Sequence, residues 1–194
     1  IRILAAVANP DDLARYNLAA LDVAQEQALL EKVCASSPSV PIPVALDFLD
    51  PPVTLERLEQ KLQEGEGYHV LHIVSHGTFS QRRQQAALYL QDSEGHTQIV
   101  PDDDLVAMLS RQAVRPHLVF LAACQSAQPS SATNRAATVA TFAGLGPKLI
   151  VTAGIPAVVA MQRQVAIMTT RKLTAAFYEH LLRHGAVDRA LNAA

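Results

Sequence analysis

Two reactive side chains, a histidine and a cysteine, each stand at the end of an apolar run. His76 closes Val70-Leu71-His72-Ile73-Val74-Ser75 and is followed by Gly77; Cys124 closes Leu118-Val119-Phe120-Leu121-Ala122-Ala123 and is followed by Gln125-Ser126-Ala127. Runs of this length, rich in Val, Ile and Leu, read as strands buried on both faces of a parallel sheet. Ligands of such sheets bind just beyond the carboxyl ends of the strands. A thiol and an imidazole brought together at that rim suggest nucleophilic catalysis.

The elements that must position this pair alternate along the chain. Residues 1–7 read as a first strand, ended by the turn Asn9-Pro10-Asp11-Asp12. Leu18, Leu21, Ala28, Leu29 and Val33 share one side of a helical projection and predict an amphipathic helix. A second strand is expected over 44–49, and Thr54 opens a helix with Leu55, Leu58 and Leu62 on one face, ending near Gly65 and Gly67. After the His76 strand comes a hairpin of 87–91 and 97–100 around Ser93-Glu94-Gly95. Pro101 and Asp102-Asp103-Asp104 begin a helix bearing Leu105, Met108 and Leu109, with acids where its dipole favours them. Beyond the Cys124 strand, a polar loop leads to an Ala-rich helix stopped by Gly144-Leu145-Gly146-Pro147. Short strands over 149–152 and 157–161, a long helix bearing Ile167, Leu173, Phe177, Tyr178, Leu181 and Leu182, and a last helix from Val187 complete the pattern. Strands alternating with helices imply an α/β three-layer sandwich, a mostly parallel sheet of about six strands with an inserted hairpin.

Composition narrows the function classes. The 194 residues suffice for one domain, here 1–194, with a single core. A formal charge of -2 supplies no bulk footprint for nucleic acid or an anionic membrane. The two cysteines, Cys34 and Cys124, lie in unlike contexts, which argues against a disulfide framework and for a reducing, cytoplasmic compartment. The longest apolar stretch, 149–161, is interrupted by Thr152, Gly154 and Pro156 and is shorter than the roughly 20 residues of a spanning helix. The chain starts at Ile1 and enters a strand at once, as expected of a domain cut from a longer protein.

Several segments in order resemble the CHAT domain, a caspase-like cysteine peptidase module related to caspases, separase and gingipains. They are Ile1-Arg2-Ile3-Leu4 with Asn9-Pro10 and the helix through Glu26; His72-Ile73-Val74-Ser75-His76-Gly77; Ala87-Leu88-Tyr89-Leu90; Leu121-Ala122-Ala123-Cys124-Gln125-Ser126-Ala127; Ala157-Val158-Val159-Ala160-Met161-Gln162; and Ala176-Phe177-Tyr178 with Leu181 and Gly185. The separation of 48 positions between His76 and Cys124 also matches the spacing of about 50 in caspases. The resemblance assigns Cys124 as nucleophile and His76 as general acid/base, and implicates the backbone N–H groups of Gly77 and Cys124 as oxyanion donors. No Asp or Asn stands out as a third member, and a backbone carbonyl orienting the imidazole would make one unnecessary. Neither metal nor organic cofactor is expected. Arg163-Gln164-Val165-Ala166-Ile167-Met168 departs from the small acidic helix start that many relatives hold there.

The substrate pocket is less defined. Gln162 follows the segment where caspase-like enzymes build a substrate-binding edge. Asp102 and Asp103 would suit a basic P1 side chain, although helix capping explains them more simply. The resemblance further implies a protein or peptide substrate and a bacterial protein controlled by sensor or repeat modules, in defence or regulated cell death. A binding or scaffold module with a degenerate dyad is the alternative. A nucleotide-binding doubly wound domain fits less well, since Ala8-Asn9-Pro10-Asp11 contains no glycine to cradle phosphate.

Three other histidines are set aside. His72 and His76, four apart on a strand, would lie about 13 Å from each other, too far to share one Zn²⁺, so His72 is expected to be buried. His180 and His184 read as a surface pair near a helix end, because Leu181 stands where a zinc protease would carry its glutamate. Cys34 is expected on a helix face against the core.

Overall fold

Arg2–Val7 forms the first strand, β1, and from Ile3 onward every residue of it is buried. Such a strand must be covered on both faces, and the fold does so with two helical layers. The structure, a computed structural model, describes residues 1–35, 43–80, 82–83, 85–123, 145–160 and 167–194. β2 (Ala45–Phe48) pairs in parallel with β1, which pairs in parallel with β3 (Val70–Ser80). β6 (Leu118–Ala123) lies on the other side of β3, and β7 (Ala157–Ala160) beyond it. The parallel order β2-β1-β3-β6-β7 reverses direction between β1 and β3, creating a crevice at their carboxyl ends.

That reversal also distributes the helices. α1 (Val23–Ala35) packs with α5 (Ile167–His184), which carries α6 (Val187–Ala193), while α2 (Leu55–Leu62) packs with α3 (Asp102–Ser110). α2 matches its sequence reading closely. The Thr54 hydroxyl accepts from the Arg57 N–H at 3.0 Å as N-cap, and Leu58 and Leu62 are buried. A lost cap of this kind typically costs about 1 kcal/mol.

β3 is longer than its apolar run. Its first half pairs with β1 and β6 up to Val74 and Ser75, and from His76 to Ser80 it pairs antiparallel with β4 (Gln85–Gln91). β5 (Thr97–Pro101) completes the hairpin. His76 therefore stands inside a strand, at the point where parallel pairing gives way to antiparallel pairing.

Two expectations are corrected. Leu18 and Leu21 precede α1, because Leu13–Tyr16 forms a separate 3-10 turn ended by Asn17 at φ 55°, and α1 buries Glu26 and Leu30 rather than Ala28. Residues 149–151 belong to a helix, α4, whose described part is 145–151. Leu145 and Leu149 are buried four apart while Val151 is 83% exposed, so only one side of the run meets the core and a doubly buried strand cannot form. The sheet has seven strands, five parallel and two in the hairpin. The Ala-rich segment expected before α4 lies outside the described residues. Among the described residues, no helix is long and apolar enough to cross a membrane.

Two buried polar pairs tie α5 to the rest. Glu26 of α1 and Arg171 of α5 meet at 2.7 Å with side chains 6% and 11% exposed. His72 stacks on Phe120 at 4.8 Å between ring centroids and shares a 3.1 Å hydrogen bond with the Tyr178 hydroxyl. Burial pushes the His72 imidazole down to about 3.

Glu26→Ala is expected to destabilise the protein by about 3–5 kcal/mol in urea unfolding, since Arg171 is left buried without its partner. For His72, the unfolded chain binds a proton that the folded chain refuses. Stability contributed by neutral His72 is thus present above the ordinary histidine pKa and lost as pH falls below it, by about 2 kcal/mol between pH 7 and 5. The double variant His72→Leu/Tyr178→Phe should show a correspondingly shallower dependence of unfolding free energy on pH.

Candidate active site

The candidate site is built around His76, which is 1% exposed. Strand alternation puts it on the same face as His72, the face covered by α1 and α5, and past the last parallel pair of β3. Its side chain reaches the loop joining β1 to α1, where Nε2 lies 2.8 Å from the Ala19 carbonyl oxygen. A carbonyl only accepts, so Nε2 carries the proton and Nδ1 presents a lone pair. Nδ1 is buried and has no hydrogen-bond partner among the described residues. Burial lowers the His76 pKa below the ordinary histidine value, against an opposing contribution from the Ala19 bond. The imidazole is thus neutral near pH 7, in the tautomer a general base at Nδ1 requires.

The neighbours of His76 come from three elements. Gly77 follows it in β3, opposite Leu88. Tyr89 of β4 lies directly opposite His76, and Tyr16 of the 3-10 turn packs edge to face on the Tyr89 ring, with centroids 5.4 Å apart. Ser75 pairs with Ala123, the last residue of β6. Cys124 is next in sequence and lies outside the described residues, as does Gln162.

The acidic run forms the first turn of α3, as the sequence reading expected, but does not cap it. The residue preceding α3 is Pro101, and no side chain caps the helix. Asp102, 1% exposed, and Asp103 both meet the Lys148 ammonium at 2.8 Å, and Gln85 donates to Asp103 at 3.0 Å. Lys148 holds the Asp103 carboxyl below its usual range.

The remaining candidates find other partners. His69 Nδ1 accepts the Arg2 N–H at 3.0 Å and its ring meets His117 edge to face. His96 lies 3.7 Å from Glu94. His180 and His184 stack on one side of α5 with centroids 6.2 Å apart. Among the described residues, no group of three or more His, Cys, Asp or Glu is arranged to hold a metal ion. Cys34 is half buried against the core, which pushes its thiol up to about 11.

Sequence reasoning did not identify Ala19, and no residue-type signal would have found it, because its contribution is a backbone carbonyl. Glu26 was equally hidden: an acid on a core-facing helix position is explained only by Arg171, 145 residues away. No curated protein matches the chain. The CHAT domain family matches it over residues 2–194, from the first residue of β1 to one residue past α6. With a buried histidine at the carboxyl edge of a largely parallel α/β sheet, and a match spanning nearly its whole length, the chain belongs to the CHAT domain family, of the caspase-like peptidase clan.

Proposed function

We propose that this chain is a cysteine endopeptidase domain acting through Cys124 and His76. The observation that supports it most is the state of His76, with Nε2 committed to the Ala19 carbonyl and Nδ1 buried without a partner among the described residues. A nucleophile is needed to give that lone pair a use. Cys124 follows Ala123 in sequence, and Ala123 is paired with the residue before His76.

In the proposed reaction, Nδ1 takes the Cys124 thiol proton as sulfur attacks the scissile carbonyl carbon. Backbone N–H groups of Gly77 and Cys124 receive the developing oxyanion. The protonated imidazole then gives its proton to the leaving amine as the C–N bond breaks, leaving a thioester and neutral His76. Water adds to the thioester carbonyl while Nδ1 accepts its proton; collapse releases the acid and returns the proton to sulfur. The Ala19 carbonyl stabilises the transient imidazolium without itself changing protonation. Tyr16 and Tyr89 would border the space beside the histidine. A protein or peptide substrate, control by sensor or repeat modules, and a cytoplasmic role in bacterial defence or regulated cell death belong to the same reading and rest on the family resemblance.

The test is labelling by an electrophilic peptide probe together with cleavage profiling on a diverse peptide library, with any natural partner domains restored. Wild-type protein should be labelled at Cys124 and cleave selectively. Cys124→Ala should lose both, and His76→Ala should slow them about 10²–10⁴-fold while remaining folded. Cys34 provides little background near neutral pH, because its thiol stays protonated. Undiminished cleavage by purified Cys124→Ala would remove that residue from the mechanism; failure of Cys124 to react under every activating condition would favour a binding module.

The pH dependence has a definite sign. His76 must be neutral to act as base, and its pKa is depressed by burial. The acid limb of the labelling rate should therefore lie below the ordinary histidine value, with reactivity persisting into mildly acidic buffer. A limb at or above that value would contradict the buried, neutral His76.

A further inference from the structure

Asn9 follows the strand that precedes the site, and the loop it begins ends at Leu21, in the core and two residues after Ala19. The Asn9 Oδ1 accepts the Leu21 N–H at 2.7 Å, closing this excursion of the chain at its base. Two further anchors hold the loop to the hairpin. Asp12 Oδ1 accepts from the Thr97 N–H at 2.7 Å and its hydroxyl at 2.6 Å, and the Asp11 N–H donates to the Gly95 carbonyl at 3.1 Å. Gln91 braces the Asn9 end: its Oε1 accepts from the Val53 N–H at 2.8 Å, while its Nε2 lies 3.5 Å from the Asn9 carbonyl.

Ala19 has only a methyl side chain, with no polar group to hold it in place, and its carbonyl accepts from Nε2 of His76. What fixes that carbonyl must be the closure of the loop. We propose that Asn9 is a positioning residue for the proton transfer: its bond to the Leu21 N–H sets the Ala19 carbonyl against Nε2 of His76 and so keeps Nδ1 unprotonated. This rests on the reading that His76 moves the proton, but the tautomer itself can be observed whether or not the protein cleaves anything. Only the side-chain oxygen of Asn9 is used, as an acceptor. A carboxylate can replace it; a methyl group cannot.

The experiment is ¹⁵N NMR of the histidine side chains in wild type, Asn9→Ala and Asn9→Asp, with the His76 signals identified by their loss in His76→Gln. Wild type should show one neutral tautomer protonated at Nε2, with slow solvent exchange of that proton. Asn9→Ala should show mixed tautomers and faster exchange, and Asn9→Asp should restore the wild-type pattern. The rate of Cys124 labelling at saturating probe should fall roughly 10- to 100-fold in Asn9→Ala, the scale of a reacting group misplaced by about 1 Å. If Asn9→Ala does not fold, Asn9→Ser serves, since its shorter side chain leaves the Leu21 N–H out of reach. A folded Asn9→Ala or Asn9→Ser protein with the wild-type tautomer and exchange rate overturns the proposal, because a turn residue without this role would alter melting temperature alone. A tautomer shift in a protein whose Cys124 never reacts would sustain the positioning role and sink the peptidase reading.

Discussion

The structure turns on one strand that belongs to both the parallel and the antiparallel part of the sheet. β3 spends its first six residues hydrogen-bonded in parallel to β1 and β6, and its last five antiparallel to β4. Past its last parallel pair the strand continues straight into a hairpin, whose antiparallel pairs satisfy the backbone groups of residues 76–80. The junction is also where the order of the parallel strands reverses. His76 is at that junction, with the loop from β1 on one side and the last pair of β6 on the other.

Everything near the histidine is held by contacts remote in sequence. The loop carrying Ala19 is fastened to the hairpin through Asp12 and Thr97, 85 residues apart. Such polar ties add less to net stability than their gross strength suggests, since each replaces hydrogen bonds to water. Their value is geometric. An acceptor placed on Nε2 selects a tautomer, which apolar packing cannot do. The same division holds beyond the site: Glu26 with Arg171 and Asp102 with Lys148 fix which helix faces meet, while Leu and Val burial supplies the driving force.

Legibility in the sequence followed from how much each element depends on its own residues. The strands of the parallel sheet are readable because doubly buried strands must be continuously apolar. α2 is readable because its cap and apolar spacing are local. The run at 149–151 misleads, because β-branched residues exposed on a helix spell the same letters as a buried strand, and only the neighbours of Leu145 and Leu149 decide between them. The start of α1 misleads for a related reason: Leu18 and Leu21 share the helical period, yet a 3-10 turn and Asn17 at positive φ intervene to place the loop over His76.

By itself the sequence determined the α/β class, the family, and the histidine at the end of an apolar run, since these depend on residue type, order and period. Tertiary structure alone decided the hydrogen-bond partner of His76, the partner of Glu26, and the engagement of Asp102 and Asp103 with Lys148. Each of those depends on a distance between groups far apart in the chain, and in the case of Ala19 on a carbonyl that every residue possesses. A pattern of side chains carries no record of where a backbone oxygen will point until the fold has closed around it.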